Sequence, residues 1–247
     1  MEQPIIELKN IDAGYQNKAV ISNVSLTVYD RDFIGIIGPN GGGKTTLLKT
    51  ILGFLRPLRG TIRYALDRSE IGYLPQGNQV DDRFPITVKE VVASGLEQGL
   101  KIHRSYTSQE RQRIEGVLER VGLAGLHKRP IGELSGGELQ RTMLARAIVS
   151  SPGMLILDEP GTYVDNKFEM QLYGLLKELN ETMAILLVSH DIGTISPYIK
   201  SIACVNRSLH YHPSNEINAE QLKVYNCPIE LITHGPVPHR VMKSHQS

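Results

Sequence analysis

Gly38-Pro39-Asn40-Gly41-Gly42-Gly43-Lys44-Thr45, set between an apolar run at 33–37 and a helix-forming segment at 44–52, decides how this chain is read. The eight residues fit the pattern G-x-x-x-x-G-K-[ST], in the strand–loop–helix context that gives the pattern its meaning. Glycines let the backbone wrap around phosphate, so that amide groups and the N-terminus of the next helix point at negative charge. Lys44 can reach β- and γ-phosphates, the Thr45 hydroxyl can complete a magnesium shell, and Thr46 lies in the same first turn. Gly53 then stops the helix.

The second half of such a site lies far downstream. Met154-Leu155-Ile156-Leu157-Asp158-Glu159 is an apolar strand that ends in two acids. A buried strand has no packing reason to end in adjacent carboxylates unless something cationic or reactive waits there. Asp158 suits a magnesium ligand. Glu159 suits a general base that polarises the attacking water in phosphoryl transfer.

Strand signals at 5–8, 24–29, 33–37, 61–64 and 71–74 precede a middle stretch of different character. There Thr87 with Glu90, and Thr107 with Glu110, have the Ser/Thr-x-x-Glu spacing that closes a helix N-terminus from both sides. Strands resume at 154–157 and 184–188, with a helix at 166–180 between them. The order predicts a parallel α/β core at 1–86 and 151–206 with a helical subdomain at 87–150 inserted in it. The tail at 207–247, rich in His and Pro, has no readable pattern.

Composition narrows the function classes. Of 247 residues, 40% are hydrophobic and 21% charged, as in an ordinary globular protein, and the formal net charge of +1 argues against a nucleic-acid partner. No apolar run approaches the roughly 20 residues that span a bilayer. The opening Met1-Glu2-Gln3-Pro4 lacks the basic-then-apolar pattern of a secretory leader, and two cysteines imply no disulfide framework. The expectation is a chain in the cytosol.

Leu134-Ser135-Gly136-Gly137-Glu138-Leu139-Gln140-Arg141 fixes the class. Ser135 and two glycines expose a helix N-terminus that can accept a phosphate. Ser135 and Glu138 also have capping-box spacing, but capping alone does not explain two glycines that each cost about 1 kcal/mol in a helix interior. The motif resembles the signature of the ABC (ATP-binding cassette) ATPases, and the other elements follow in that family's order. Tyr15 resembles the A-loop aromatic that stacks on adenine. Gln76, in Tyr73-Leu74-Pro75-Gln76, resembles the Q-loop glutamine that senses magnesium and contacts the membrane partner. Asp165 resembles the D-loop aspartate, and His190, in Val188-Ser189-His190-Asp191, the switch histidine on the γ-phosphate. Two departures stand out: Gly42 replaces a common Ser or Ala, which should loosen the loop, and Pro160-Gly161-Thr162-Tyr163-Val164-Asp165 differs from the commoner D-loop wording.

The resemblance implies a P-loop NTPase core with a parallel sheet, N-terminal antiparallel strands and an inserted α-helical subdomain. It implies ATP and Mg²⁺ as ligands, with the 38–46 loop of one copy and residues Ser135, Gly136, Gly137 and Glu138 of a second copy sandwiching each ATP. An integral-membrane permease and an extracytoplasmic solute-binding protein would complete the system, with this chain peripheral on the cytoplasmic face. Phe84-Pro85-Ile86-Thr87-Val88 with Val91-Val92, the Gly-Gly-Gly-Lys-Thr-Thr loop and the tail resemble the ATPases of zinc and manganese importers. Iron-chelate or other small-solute importers share most of these motifs, and a soluble ABC ATPase is the reading from another class. His210, His212, Cys227, His234 and His239 are zinc-binding types, though their spacing matches no compact zinc motif.

Overall fold

Apolar residues alternate along β1 (Pro4–Tyr15) and β2 (Lys18–Tyr29), and the alternation gives each strand one buried face. Ile6, Leu8 and Ala13 oppose Val28, Leu26 and Ile21 in an antiparallel register. The turn between the strands is Gln16-Asn17, both left-handed at φ 51° and 58°, as a two-residue primed turn requires. Both strands run longer than the pattern at 5–8 and 24–29 predicts. Asn10 and Asn23, at φ 51° and 52°, interrupt the alternation without ending the pairing. β4 (Arg59–Tyr64) adds to the other edge of β1, giving the order β2-β1-β4.

The computed structural model describes residues 3–77, 85–96, 106–161, 166–215, 231–233 and 238–240. The chain forms two units, Met1–Leu66 with Leu176–Ser247, and Asp67–Leu175. Besides the antiparallel sheet, the first unit holds β3 (Phe33–Ile37), whose five residues are all buried. β3 lies parallel to β7 (Ala184–Val188) on one side and to β8 (Ser201–Asn206) on the other. β9 (Ser208–His212) runs antiparallel to β8, and the turn between them is the single left-handed residue Arg207 at φ 61°. Helix α1 (Lys44–Ile51) leaves the loop after β3, and α6 (Ile192–Ile195) follows β7. The buried Asn180 amide donates to the carbonyls of Arg31, Asp32 and Met183 at 2.9–3.1 Å, which fixes the entries of β3 and β7. β10 (Leu231–Thr233) and β11 (Pro238–Arg240) form an antiparallel pair.

In the second unit, β5 (Ile71–Leu74) lies parallel to β6 (Met154–Asp158). Between them come α2 (Val88–Ala93), α3 (Ser108–Arg120) and α4 (Gly136–Ile148), and α5 (Asn166–Leu179) begins after β6. The expected capping boxes at Thr87/Glu90 and Thr107/Glu110 are formed, as is Ser135/Glu138. A fourth, Asp67/Glu70, opens a short 3-10 turn that the pattern did not single out.

Candidate functional site

In the first unit, the loop from Gly38 to Gly43 carries the chain from β3 into α1. Gly43 caps α1 at φ 104° without a side-chain hydrogen bond, and the helix has no acid in its first turn. Its first amides are therefore without a side-chain cap, which suits an anion. A methyl on Gly43 would stand 2.3 Å from Ile21 Cγ2. Gly42 donates to the Pro39 carbonyl at 3.1 Å and accepts from the Arg207 amide at 2.8 Å. A Cβ there would meet the Val205 carbonyl oxygen at 2.8 Å, so this glycine supplies room for β8 rather than slack.

Lys44 is 6% exposed, and its Nζ donates to the carbonyls of Gly38 at 3.0 Å and Pro39 at 3.1 Å. The side-chain nitrogen is thus held by two loop carbonyls, which phosphate oxygens could replace. Thr45 is exposed; Thr46 is buried and accepts from the Thr50 hydroxyl through its carbonyl. Tyr15, at the end of β1, is 47% exposed, with Lys49 Nζ 5.9 Å from its ring centroid. An exposed ring beside a lysine suits a planar base attached to phosphates. His190 follows β7 at intermediate exposure, in a turn closed by the Asp191 amide donating to Ser189 Oγ at 3.0 Å.

In the second unit, β6 delivers Asp158 2% exposed, behind four buried apolar residues. Burial, and then the Asp158 charge, push the Tyr73 hydroxyl up to about 12. Glu159 sits at φ 53°, a left-handed conformation that costs a non-glycine residue about 1–3 kcal/mol and gathers at functional sites. Its Oε2 accepts from Gln76 Nε2 at 2.7 Å. The next carbonyl, Pro160, accepts from the amide nitrogen of Gln140 on α4.

Ser135 and Gly136 are exposed at the N-terminus of α4. Ser135 Oγ accepts from the Glu138 amide at 3.3 Å, and Glu138 Oε2 accepts from the Ser135 amide at 2.8 Å. Those bonds, with Arg129 Nη1 3.7 Å from Glu138 Oε1, hold the Glu138 carboxyl below its ordinary value. The capping box that the Ser135 and Glu138 spacing offered is therefore formed. Glu138 caps the helix, which leaves the Ser135 hydroxyl and the amides of Gly136 and Gly137 as the groups that could meet an anion.

Asp165, in the segment 162–165, lies outside the described residues, as do Cys227 and His234. His210 and His212 stand one residue apart on β9, opposite Cys204 and Ile202 of β8. Burial, and then His210, lower the His212 pKa. Among the described residues no group of three or more His, Cys, Asp or Glu could hold a metal ion. Two residues of the sites were not singled out from sequence: Lys49, whose place beside Tyr15 depends on tertiary packing, and Gln140, which lay inside a motif already quoted.

Residues 21–162 match the ABC transporter family. The chain belongs to that family. Among its relatives, the zinc uptake system ATP-binding protein ZurA of Listeria innocua is 39% identical over 220 residues, covering 85% of this chain and 86% of that one. The zinc import ATP-binding protein ZnuC of Pasteurella multocida is 38% identical over 208 residues, covering 83% of this chain and 74% of that one. A solved metal-chelate type ABC transporter in an inward-facing conformation shares the fold, with a TM-score of 0.82 at 24% identity over 98% of this chain and 97% of that one. As an ABC ATP-binding subunit the chain binds and hydrolyses ATP. Among the described residues no helix is long and apolar enough to cross a membrane.

Proposed function

We propose that this ABC subunit energises the import of a divalent transition metal, zinc foremost, by hydrolysing ATP in a head-to-tail pair with a second copy of itself. The observation that carries the reading is the 38–39% identity to zinc-import ATP-binding proteins over more than four fifths of the chain. A membrane permease supplies the path for the ion, an extracytoplasmic solute-binding protein delivers it, and this chain works on the cytoplasmic face.

Each residue then has a task. Tyr15 stacks on adenine. Residues 38–43 and the amides opening α1 cradle the phosphates, while Lys44 exchanges its carbonyl contacts for β- and γ-phosphate oxygens. Thr46 holds the first turn of α1 through its bond with Thr50. Ser135, Gly136 and Gly137 close on the partner copy's ATP, with Glu138 keeping their helix end formed. Asp165 communicates between copies.

The magnesium donors this chain offers are the Thr45 hydroxyl, the Asp158 carboxylate and the Gln76 amide. Their chemistry fits, since all are hard oxygen ligands, and Asp158 is a carboxylate placed where apolar packing gives it no purpose. With its nitrogen donated to Glu159, Gln76 would turn its carbonyl oxygen to a cation. Magnesium, when bound, would neutralise charge developing on the transferred phosphoryl group. Glu159 takes a proton from water at a carboxylate oxygen as the water oxygen attacks the γ-phosphorus. The bond from that phosphorus to its bridging oxygen breaks, and His190 donates a hydrogen bond to the γ-phosphate.

The test is uptake of radioactive zinc by vesicles holding the chain with the permease and binding protein encoded beside it, energised by ATP from the cytoplasmic side. ATP-dependent zinc uptake, abolished by Lys44→Ala, is the expected result. Uptake of manganese or an iron chelate with no response to zinc would replace the substrate. ATP turnover indifferent to any permease would end the importer reading.

A further inference from the structure

Gln140 is 5% exposed within α4, six positions beyond the start of the quoted signature motif. Its amide nitrogen donates to the carbonyl of Pro160, and its oxygen has no hydrogen-bond partner among the described residues. A half-satisfied buried amide is poor packing, and a leucine would fill the same space without the desolvation cost. The position therefore needs the donor. What the donor holds is the residue that follows Glu159, and Glu159 is left-handed at φ 53°. Such a conformation persists only where its surroundings over-determine it. Here two glutamines do so within one unit: Gln76 binds the Glu159 carboxylate at 2.7 Å, and Gln140 binds the carbonyl just beyond its backbone. Gln140 also stands five residues from Ser135, about 7.5 Å along a single rigid helix.

We infer that Gln140 is a positioning residue for hydrolysis, tying the backbone that aims Glu159 to the helix whose N-terminus Ser135 opens. The inference rests on the reading of Glu159 as general base. A shift of helix α4 as its end closes on the partner copy's ATP is then felt at the base of the same chain, through one hydrogen bond.

A double-mutant cycle tests it on the full chain, with ATP affinity measured by a fluorescent analogue and turnover by phosphate release. Gln140→Leu is expected to lower kcat about 10²-fold, the scale of an ångström-sized misplacement, while ATP affinity stays within about twofold of wild type. In a Glu159→Gln background, adding Gln140→Leu is expected to change the residual turnover by less than about twofold, because the group it aims is gone. A merely structural role would lower turnover equally in both backgrounds, and that result overturns the inference. So does wild-type kcat in Gln140→Leu, or a loss of ATP affinity matching the loss of kcat. Should Gln140→Leu fail to fold, Gln140→Met supplies the same cycle without the donor. Near-normal turnover in Glu159→Gln alone removes the base reading itself. An inactive Glu159→Gln beside an unaffected Gln140→Leu removes this inference only.

Discussion

Gly43→Ala separates two costs that the phosphate loop imposes on any residue larger than glycine. The first is conformational: φ 104° is outside the regions open to an L-residue, and left-handed backbone costs about 1–2 kcal/mol. The second is steric, since the new methyl would lie 2.3 Å from Cγ2 of Ile21, which is fully buried on β2. Overpacking of that kind costs about 1–3 kcal/mol. Together they predict a loss of about 2–5 kcal/mol. If the loop alone absorbs about 3 kcal/mol of it, ATP binding weakens roughly 10²-fold. Gly41→Ala is the control, because a Cβ there meets nothing within 4 Å at φ 74°, so only the first cost of about 1–2 kcal/mol remains. Urea unfolding with an ATP-analogue titration reads both quantities. Ile21→Ala removes the clashing methyl, so the double variant should be about 1–3 kcal/mol more stable than the sum of the singles. Strict additivity, or a Gly43→Ala chain within 0.5 kcal/mol of wild type, would refute the reasoning.

Glu159→Gln keeps the size and the Gln76 contact but loses the base. It should bind ATP normally, trap an ATP-stabilised dimer visible by gel filtration, and turn over about 10²–10⁴-fold more slowly. Gly137→Ala places a methyl in open space near the start of α4. The helix should gain about 0.5–1 kcal/mol in thermal unfolding while ATPase activity falls, and activity at the wild-type level would remove this helix end from the site. Glu138 and Glu90 have carboxyls held low mainly by bonds to Ser135 and Thr87. Their stabilising effect is present above the ordinary value of 4.5 and is lost as pH falls through the lowered folded values. Unfolding titrations should show a flatter acid limb for Glu90→Gln/Glu138→Gln than for wild type, and identical limbs would show that these caps contribute nothing ionic.

The strands that sequence located best were those buried on both faces. Residues 33–37, 154–157 and 184–188 are short apolar runs, and β3, β6 and β7 occupy those positions. The helix starts were legible because Thr87, Thr107 and Ser135 announce themselves chemically. β8 and β9 were not, since Ser-Ile-Ala-Cys-Val-Asn alternates weakly and its partners on β3 lie 167 positions earlier, as Ile34 opposite Ser201. In the site, residue types at fixed spacing pointed to Lys44, Asp158, Glu159 and Ser135. The bonds that aim them did not follow from spacing: Gln76 reaches Glu159 across 83 residues, and Gln140 is one glutamine inside a motif read through its serine and glycines.

The turn at Arg207 has a consequence for anyone building hybrids of this chain with its relatives. The Arg207 amide donates to the Gly42 carbonyl at 2.8 Å, its carbonyl accepts from the Ser22 amide at 2.7 Å, and Val205 crowds the loop beside it. Residues 205–207 are therefore part of the nucleotide loop, although the P-loop pattern ends 160 residues earlier at Thr45. A crossover placed before β8 exchanges that contact together with the tail, and a relative with Ser or Ala at position 42 needs its own hairpin to accommodate the larger side chain. A crossover after His212 leaves the loop and its brace from the same parent, and only such hybrids report on what the tail itself contributes.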